Sequence, residues 1–267
     1  MSSAGSRNWP RRVRALNDRK TRLQEGVVFV EGIRQVLDAY EGGHTIEAIL
    51  VDPTRLRSEL AWQFIDRAAG EGIEVAQLSP AEFERISSRE NPVGMAATVH
   101  WKPLDLRYAE LAAEGVYLAT DDVRDPGNLG TIIRTADAFN VDAVIVHRGT
   151  DPGHPAALRS SLGSAFRVPV YTVPTLPELF YWAQRQGAAV LGTSARGDAP
   201  LPEAQIPIPV VFLLGNEATG LDDETLELCD ATLAIPMGGT ASSLNVAVAA
   251  GILLYELRRR LGGHVSG

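Results

Sequence analysis

The sequence is poor in cysteine, in lysine and in long apolar runs. Cys229 is the only cysteine in 267 residues, which excludes an internal disulfide framework and a cysteine-based zinc site. A reducing, cytoplasmic setting is therefore expected. The longest apolar stretch, residues 246–255, is about half a membrane span, so we interpret it as a buried helix segment. No apolar signal segment is visible near the first residue, and we expect no secretory signal.

Positive charge is concentrated at the start of an otherwise acidic chain. The net charge is −8, yet residues 1–25 hold seven basic side chains against Asp18 and Glu25. Such a basic arm suits RNA or DNA phosphates, although a solvated amphipathic segment would look the same. The predicted RNA-binding residues of this arm are Arg7, Arg11, Arg12, Arg14, Arg19, Lys20 and Arg22.

Strand and helix patterns alternate along the whole chain. After the arm, the sequence predicts strands near residues 27–30, 46–52, 73–79 and 94–101, with helices between them. A second series predicts strands at 116–120, 142–147, 168–173, 188–193, 209–214 and 231–235, and helices at about 128–139, 156–162, 176–186, 221–228 and 243–260. This alternation predicts an α/β fold with a mainly parallel sheet and helices on both faces. Residues 102–115 are the predicted linker.

The first stretch that could carry chemistry is DDVRDPGNLGTIIRTADAF, residues 121–139, which follows an apolar strand. A strand, a glycine turn and a helix suggest a dinucleotide cradle, but the third glycine and the acidic ribose partner are missing. Asn128 could instead cap the helix. Arg134 could be a surface residue, a partner of Asp121, Asp122 or Asp137, or a guanidinium that faces an anion.

Two further stretches follow strands in the second series. Gly215-Asn216-Glu217 ends a strongly apolar strand, at the position where ligands collect in open parallel sheets. The last stretch, IPMGGTASSLN, leads from a strand into the long C-terminal helix, for which Ser242 or Ser243 is the predicted cap. Each residue, taken alone, also has an ordinary structural explanation.

Together, the three stretches closely resemble the motifs of the SpoU (TrmH) family of RNA ribose 2′-O-methyltransferases, which belongs to the SPOUT superfamily. The resemblance rests on Asn128-x-Gly130-x-x-x-Arg134, on Gly-Asn-Glu-x-x-Gly-Leu and on Ile-Pro-Met with Ser-Leu-Asn-Val, and it covers residues 116–260. Ala218 and Ala247 depart from the family's frequent glycine and serine. Behind the basic arm at 1–25, which the charge distribution predicts, the resemblance implies an L30e-like RNA substrate-binding domain at 26–101 and a methyltransferase domain at 116–267 with a deep trefoil knot.

The resemblance also implies the cofactor and the site. S-adenosylmethionine is the expected cofactor, no metal is required, and the expected assembly is a homodimer. The implied cofactor-binding residues are Thr193, Gly215, Asn216, Glu217, Ile235, Met237, Ser243 and Leu244. The implied catalytic residues are Arg134, Asn128, Glu217, Ser243 and Asn245. Arg134 would also contact RNA, as a phosphate clamp and electrostatic stabiliser or as a base.

The expected substrate is ribosomal RNA, most of all 23S rRNA, because a separate N-terminal domain of this kind is more usual in ribosomal RNA enzymes of the family. A tRNA ribose 2′-O-methyltransferase is the alternative. A nicotinamide-dependent oxidoreductase and a non-catalytic RNA-binding protein are the less favoured interpretations.

Overall fold

The computed structural model describes residues 8–110, 112 and 114–262. The chain divides into two compact units. The first contains the residues through Lys102 together with Gly153–Arg167, and the second contains Pro103–Pro152 and the residues from Val168 onward. Among the described residues, no helix is long and apolar enough to cross a membrane.

The helices and strands fall where strand-type and helix-type patterns alternate. The helices are α1 (Trp9–Ala15), α2 (Arg19–Glu25), α3 (Ile33–Glu41), α4 (Glu59–Gly70), α5 (Pro80–Ile86), α6 (Pro126–Ala138), α7 (Pro155–Ser161), α8 (Leu176–Arg185), α9 (Asp223–Glu227) and α10 (Val246–Arg260). The strands are β1 (Val27–Glu31), β2 (Ile46–Val51), β3 (Glu74–Gln77), β4 (Met95–His100), β5 (Leu104–Asp105), β6 (Val116–Asp121), β7 (Ala143–His147), β8 (Val170–Val173), β9 (Ala189–Thr193), β10 (Ala199–Pro200), β11 (Val210–Leu214) and β12 (Ala231–Ala234).

The first unit is built on a mixed four-stranded sheet with the order β1-β4-β2-β3. Strand β4 runs antiparallel to both β1 and β2, whereas β2 and β3 are parallel. Phe29, Leu50 and Phe83 belong to a buried apolar cluster that also takes in α1 and α5. This small core is what positions the loops at the ends of β1 and α5.

The predicted basic arm is folded onto this core. Trp9, Val13 and Leu16 are buried in the apolar cluster of the first unit, so α1 is an amphipathic helix of the unit. Arg22 is buried as well, and its guanidinium donates to the backbone oxygens of Leu16 and Asn17 at 2.7 and 2.8 Å. The prediction that Arg22 binds RNA is therefore wrong, because its donors hold the turn between α1 and α2.

The other basic residues of the arm differ in exposure. Arg12 is 18% exposed and forms ion pairs with Glu25 and Glu47, so its charge is paired within the fold, and RNA binding by Arg12 stays a prediction. The exposed basic residues of α1 and α2 are Arg11, Arg14, Arg19 and Lys20. Arg7 lies outside the described residues.

The segment Gly153–Arg167 packs as part of the first unit although it lies between two strands of the second. Trp101 Nε1 donates to the backbone oxygen of Ala165 at 3.1 Å, and His44 Nε2 lies 3.2 Å from the backbone oxygen of Phe166. Gln35 Nε2 donates to the backbone oxygen of Arg159 at 3.2 Å. These contacts join α7 and the 3-10 turn Ser164–Phe166 to α3 and the end of β4.

The second unit contains an eight-stranded sheet with the order β10-β12-β9-β11-β6-β7-β8-β5. Every pairing in it is parallel. Strand β11, residues Val210–Leu214, is fully buried beside β6 and β9. The predicted α/β fold with a parallel sheet is confirmed.

Helix α10 lies along α6 in the same direction. Asn245, just before α10, hydrogen-bonds Asn128 in the first turns of α6, and a Cβ on Gly251 would meet the Thr135 methyl at 3.8 Å. At the other end, Arg258 Nε donates to the backbone oxygen of Phe139 at 2.7 Å. The chain that leaves β12 therefore returns to the first motif of the second unit.

Candidate active site

The parallel sheet of the second unit brings several predicted site residues to one edge. Thr193 is the last residue of β9, and Gly215 and Ile235 directly follow β11 and β12. Thr193 Oγ1 donates to the backbone oxygen of Leu213 at 3.0 Å, which ties the ends of β9 and β11 together. The carboxyl edge of an open parallel sheet is where ligands bind.

Glu217 connects the first two motifs. Its Oε1 accepts hydrogen bonds from Asn128 Nδ2 and from the backbone N–H of Asp125, both at 3.0 Å. Its Oε2 accepts from the backbone N–H of Arg124 at 3.2 Å. Partial burial raises the pKa of Glu217, but the bonds from Asn128, Asp125 and Arg124 favour the charged form and hold the pKa below its ordinary value.

Asn245 connects the third motif to the other two. Its Nδ2 donates to Asn128 Oδ1 at 2.9 Å. Its Oδ1 accepts from the backbone N–H groups of Ala247 and Val248 at 2.9 and 3.3 Å. Asn128 is thus held on both sides, by a carboxylate on its amide nitrogen and by an amide on its oxygen.

Two predictions of helix caps are wrong. Asp125 caps α6, since its side chain accepts from the backbone N–H of Asn128 at 2.8 Å and Pro126 occupies the first turn. The Asn128 side chain is engaged by Glu217 and Asn245 instead. Helix α10 begins at Val246 with Asn245 as its cap, so neither Ser242 nor Ser243 has that part.

The Asn216 side chain closes the Gly215-Asn216 turn, and the turn has no space for a side chain at position 215. Asn216 Nδ2 donates to the backbone oxygen of Asp122 at 2.8 Å, and its Oδ1 accepts from the backbone N–H of Ala218 at 2.9 Å. A Cβ on Gly215 would lie 2.3 Å from the carbonyl carbon of Gly220 and 2.3 Å from the backbone nitrogen of Leu221. Glycine is therefore required at position 215, and Asn216 fixes the turn against the β6–α6 loop.

Arg134 lies on the exposed side of α6, opposite the buried Ile132, Ile133 and Ala136. Within the described chain its guanidinium forms no hydrogen bond or ion pair. Two of the carboxylates considered as its partners are engaged elsewhere, because Asp121 pairs with Arg148 and Asp122 with Arg124. Arg134 therefore offers an uncompensated positive charge near the three joined motifs.

The segment between β12 and α10 carries unused main-chain groups. In the part of the chain that the structure describes, the backbone groups of residues 236–244 form no hydrogen bond. Met237 is 37% exposed and Ser243 is exposed, while the apolar Ile235 and Leu244 are partly covered. Free amides beside apolar side chains suit an aromatic base bound by main-chain hydrogen bonds, so these residues fit the adenosyl group of S-adenosylmethionine.

The sequence predictions missed a buried cluster at the ends of β6 and β7. Asp121 Oδ1 lies 2.9 Å from His147 Nδ1, and Arg148 Nη2 donates to Asp121 Oδ1 and Oδ2 at 2.9 and 3.1 Å. Both Asp121 and His147 are buried. The available signal was that polar residues stand at the last position of two otherwise apolar strands. Among the described residues, no group of three or more His, Cys, Asp or Glu side chains could hold a metal ion.

We expect Asp121→Asn to lower the free energy of unfolding by about 1–3 kcal/mol at pH 7, because Arg148 loses its charged acceptor. Burial raises the pKa of Asp121, but the bonds from His147 and Arg148 lower it further than burial raises it. A lowered pKa in the folded state adds stability above the ordinary pKa of about 3.9, which is lost as the pH falls through the lowered value. Urea unfolding from about pH 3 to 7 tests this, with Asp198→Asn, at an exposed position, as the control. A difference in unfolding free energy between wild type and Asp121→Asn that does not change with pH would contradict the prediction.

Comparisons with known proteins agree with this arrangement. Residues 115–255 match the family described as the SpoU rRNA Methylase family, and residues 11–97 match the MRM3-like substrate binding domain. The chain is 37% identical over 245 residues to the Bacillus subtilis 23S rRNA (guanosine(2553)-2′-O)-methyltransferase RlmP, covering 91% of this chain and 93% of the relative. It is 33% identical to the Streptomyces viridochromogenes 23S rRNA (uridine(2479)-2′-O)-methyltransferase, covering 94% and 89% of the two chains. The crystal structure of an AdoMet-bound rRNA methyltransferase from Sinorhizobium meliloti is similar with a TM-score of 0.86 and 32% identity, covering 98% and 97%.

Proposed function

The chain belongs to the SpoU rRNA methylase family, and from this premise we propose that it methylates a ribose 2′-hydroxyl of 23S ribosomal RNA. The family confirms the sequence prediction of an S-adenosylmethionine-dependent RNA 2′-O-methyltransferase. The observation that carries the proposal is the Glu217–Asn128–Asn245 network, which joins three distant motifs at the carboxyl edge of the sheet. Two relatives of similar identity are named for different nucleotides, so the methylated nucleotide is left to experiment.

The cofactor site is proposed at the ends of β9, β11 and β12. The main-chain groups of Gly215, Ile235 and Leu244 would hold the adenosyl group. The surrounding residues would be Thr193, Asn216, Glu217, Met237 and Ser243. When bound, S-adenosylmethionine would supply the electrophilic methyl group that the ribose 2′-oxygen accepts.

The chain's own contribution to this step centres on Arg134. A guanidinium keeps its proton in proteins and is therefore a poor base, whereas its fork of donors suits an RNA phosphate and the charge that develops on the 2′-oxygen. Asn128, Glu217, Ser243 and Asn245 are proposed to fix the position of the motif that carries this arginine. Glu217 and Asn245 do so through Asn128, whose two polar atoms they occupy.

RNA binding by the first helices is proposed for the residues that the fold leaves exposed, namely Arg11, Arg14, Arg19 and Lys20.

We also propose a homodimer in the cytoplasm. Val248 and Tyr255 are 51% and 61% exposed and lie seven residues apart on α10, hence on one face of that helix. A second copy of the chain is the proposed cover for this exposed apolar face.

A deep trefoil knot in the second unit remains a proposal. Its support is the chain path, in which the segment after β12 returns to α6 and α10 then runs along that helix. Because knots are rare in proteins, the main support for this proposal is the family resemblance, and the chain path is the weaker support.

The function is tested by mapping 2′-O-methyl groups in ribosomal and transfer RNA from cells with and without this protein. We expect one ribose methylation of 23S rRNA to disappear, and to return when the purified protein and S-adenosylmethionine are added to the unmodified RNA. A loss in tRNA alone would move the substrate to that class. Unchanged methylation of both RNAs would contradict the proposal.

A further inference from the structure

Several arginines of the first unit gather at the start of α3, outside the cofactor and catalytic residues. Arg89 lies over Gly32, where an added Cβ would be 3.0 Å from its Nη2. Arg159 Nη1 donates to Ser88 Oγ at 2.6 Å. Ser88 and Arg89 come from the loop after α5, whereas Arg159 comes from α7 in the segment Gly153–Arg167. Two stretches distant in sequence therefore build one group of cations.

Two acidic residues of this region, Glu31 and Asp38, are buried, whereas Glu90 beside Arg89 is exposed. Glu31 is 6% exposed, and its carboxylate accepts from Ser87 Oγ at 2.6 Å and from the Ser88 backbone N–H at 3.0 Å. Asp38 is 3% exposed and forms ion pairs with Arg34 and Arg167. These two buried carboxylates hold the loop and α3, so the exposed Glu90 is the acidic residue that stands against the three cations of Arg34, Arg89 and Arg159.

The arginines retain unused donors. Arg89 Nη2 donates to the backbone oxygen of Glu31 at 3.2 Å, but its buried Nε has no acceptor. Neither Arg89 nor Arg159 forms an ion pair with a carboxylate of the described chain. Arg34 pairs with Asp38 through Nε alone, and its side chain is 78% exposed. A guanidinium has five donors in a planar fork that matches phosphate oxygens.

We propose that Arg34, Arg89 and Arg159, the Arg89–Arg159 surface, bind backbone phosphates of the RNA substrate. This inference rests on the proposed function and adds a recognition surface to it. Its new element is Arg159, which lies in the stretch that matches the SpoU methylase family yet packs with the first unit. A segment of the methylase sequence thereby completes the substrate-recognition unit.

Phosphate is the favoured partner because the three arginines and Ser88 present positive charge and hydrogen-bond donors. A protein partner would be expected to bury a central aromatic or aliphatic group, and among the described residues the one large apolar residue exposed beside Arg159 is Leu162 at the end of α7, which is not aromatic. Backbone phosphate contacts bind RNA of any sequence and fix its register. The surface would therefore place the RNA, and the catalytic motifs would select the ribose.

The test compares the double variant Arg89→Gln/Arg159→Gln with the control Arg57→Gln, an exposed arginine of the same unit. Glutamine keeps a donor for Ser88 and for the Glu31 backbone, which protects the fold. The probe is an in vitro transcript of 23S rRNA. Its binding is measured at salt concentrations from about 50 to 300 mM, a range over which affinity that comes from phosphate contacts falls steeply. We expect the double variant to raise the Kd about tenfold and to reduce the salt slope by about 1.5, since each lost phosphate contact reduces it by about 0.7–0.9.

Steady-state kinetics separate a binding role from a general loss of structure. The double variant should raise the KM for RNA, with kcat at saturating RNA and the Kd for S-adenosylmethionine unchanged. Arg89→Lys/Arg159→Lys, which keeps both charges, should recover most of the salt slope. Equal Kd and slope for wild type, the double variant and Arg57→Gln would overturn the surface, even where wild type methylates the transcript. If wild type binds the transcript through this surface but transfers no methyl group to any RNA, the proposed function fails and the surface stands.

Discussion

Replacing Arg134 with alanine is expected to lower kcat for RNA methylation about 10²–10³-fold, the usual cost of losing one positioned donor to developing charge. The Kd for S-adenosylmethionine should stay unchanged, because the proposed cofactor contacts come from the ends of β9, β11 and β12. The effect should be large because the Arg134 guanidinium is exposed and forms no ion pair within the described chain. Its charge is therefore available to the substrate.

Single-turnover methyl transfer at saturating RNA measures the chemical step, and calorimetry measures cofactor binding. Arg185→Ala is the matched control, since Arg185 ends α8 and its guanidinium lies 5.9 Å from the Tyr181 ring centre. Arg134→Lys keeps the charge but loses the fork and should recover part of the activity. A loss of cofactor binding in Arg134→Ala equal to the loss of rate would contradict the assignment.

The second unit could be predicted from sequence to within about three residues for most strands and helices. Its strands are short apolar runs that end at turn residues, and buried parallel strands have this pattern. The helix starts were less predictable, because Asp125, Asn128, Ser243 and Asn245 are all competent caps. At α6 the Asn128 side chain is engaged by Glu217, a residue that the fold brings to it from 89 positions away, and Asp125 is the cap.

The first helices show a limit of a different kind. Charge alone favoured an arm that binds RNA, yet Trp9, Val13 and Leu16 recur at spacings of four and three, the period of a helix packed on one face. This signal was in the sequence. The burial of Arg22 could not be predicted, because its acceptors are two backbone oxygens that are placed around its guanidinium only when α1 and α2 have folded.

The place of Gly153–Arg167 could not be predicted from its own residues. Its partners Gln35, His44 and Trp101 lie far away in sequence and supply hydrogen bonds to backbone oxygens, which leave no pattern in the segment itself. Gly163 is required there because an added Cβ would lie 1.9 Å from the Asp38 carboxylate. The glycine is visible in the sequence, but the carboxylate that demands it is not.

The second large effect is expected from Glu217→Gln, which should lower kcat about 100-fold, as removal of a single preorganising group can. Three donors point at the Glu217 carboxylate, from Asn128, Asp125 and Arg124. Glutamine has one oxygen, so its NH₂ must face at least one of these donors. If the amide oxygen stays on Asn128 and Asp125, the NH₂ faces the backbone N–H of Arg124, and this repulsion of two donors should shift the side chain and weaken its hold on Asn128 and, through Asn128, on Asn245.

The same substitution should lower the free energy of unfolding by about 1–3 kcal/mol at pH 7, because a partly buried donor is left without an acceptor. The lowered pKa of Glu217 gives the direction of the pH dependence. The stabilisation by the carboxylate is complete above its ordinary pKa of about 4.3 and is lost as the pH falls through the lowered value. The gap between wild type and Glu217→Gln should therefore close in acid, while the exposed control Glu227→Gln shows no such gap.

Urea unfolding at about pH 3, 5 and 7, which spans the titration of carboxylates, measures the difference in unfolding free energy between wild type and Glu217→Gln. Methyl transfer at about pH 7 measures the rate. The rate and the unfolding free energy together separate an effect on the position of Asn128 from an effect on the stability of the fold. If Glu217 acts by holding Asn128, then Asn128→Ala and the double variant Asn128→Ala/Glu217→Gln should lose the same activity, because residues that act as one unit are not additive. Additive losses would mean that Glu217 reaches the reacting groups by a route of its own.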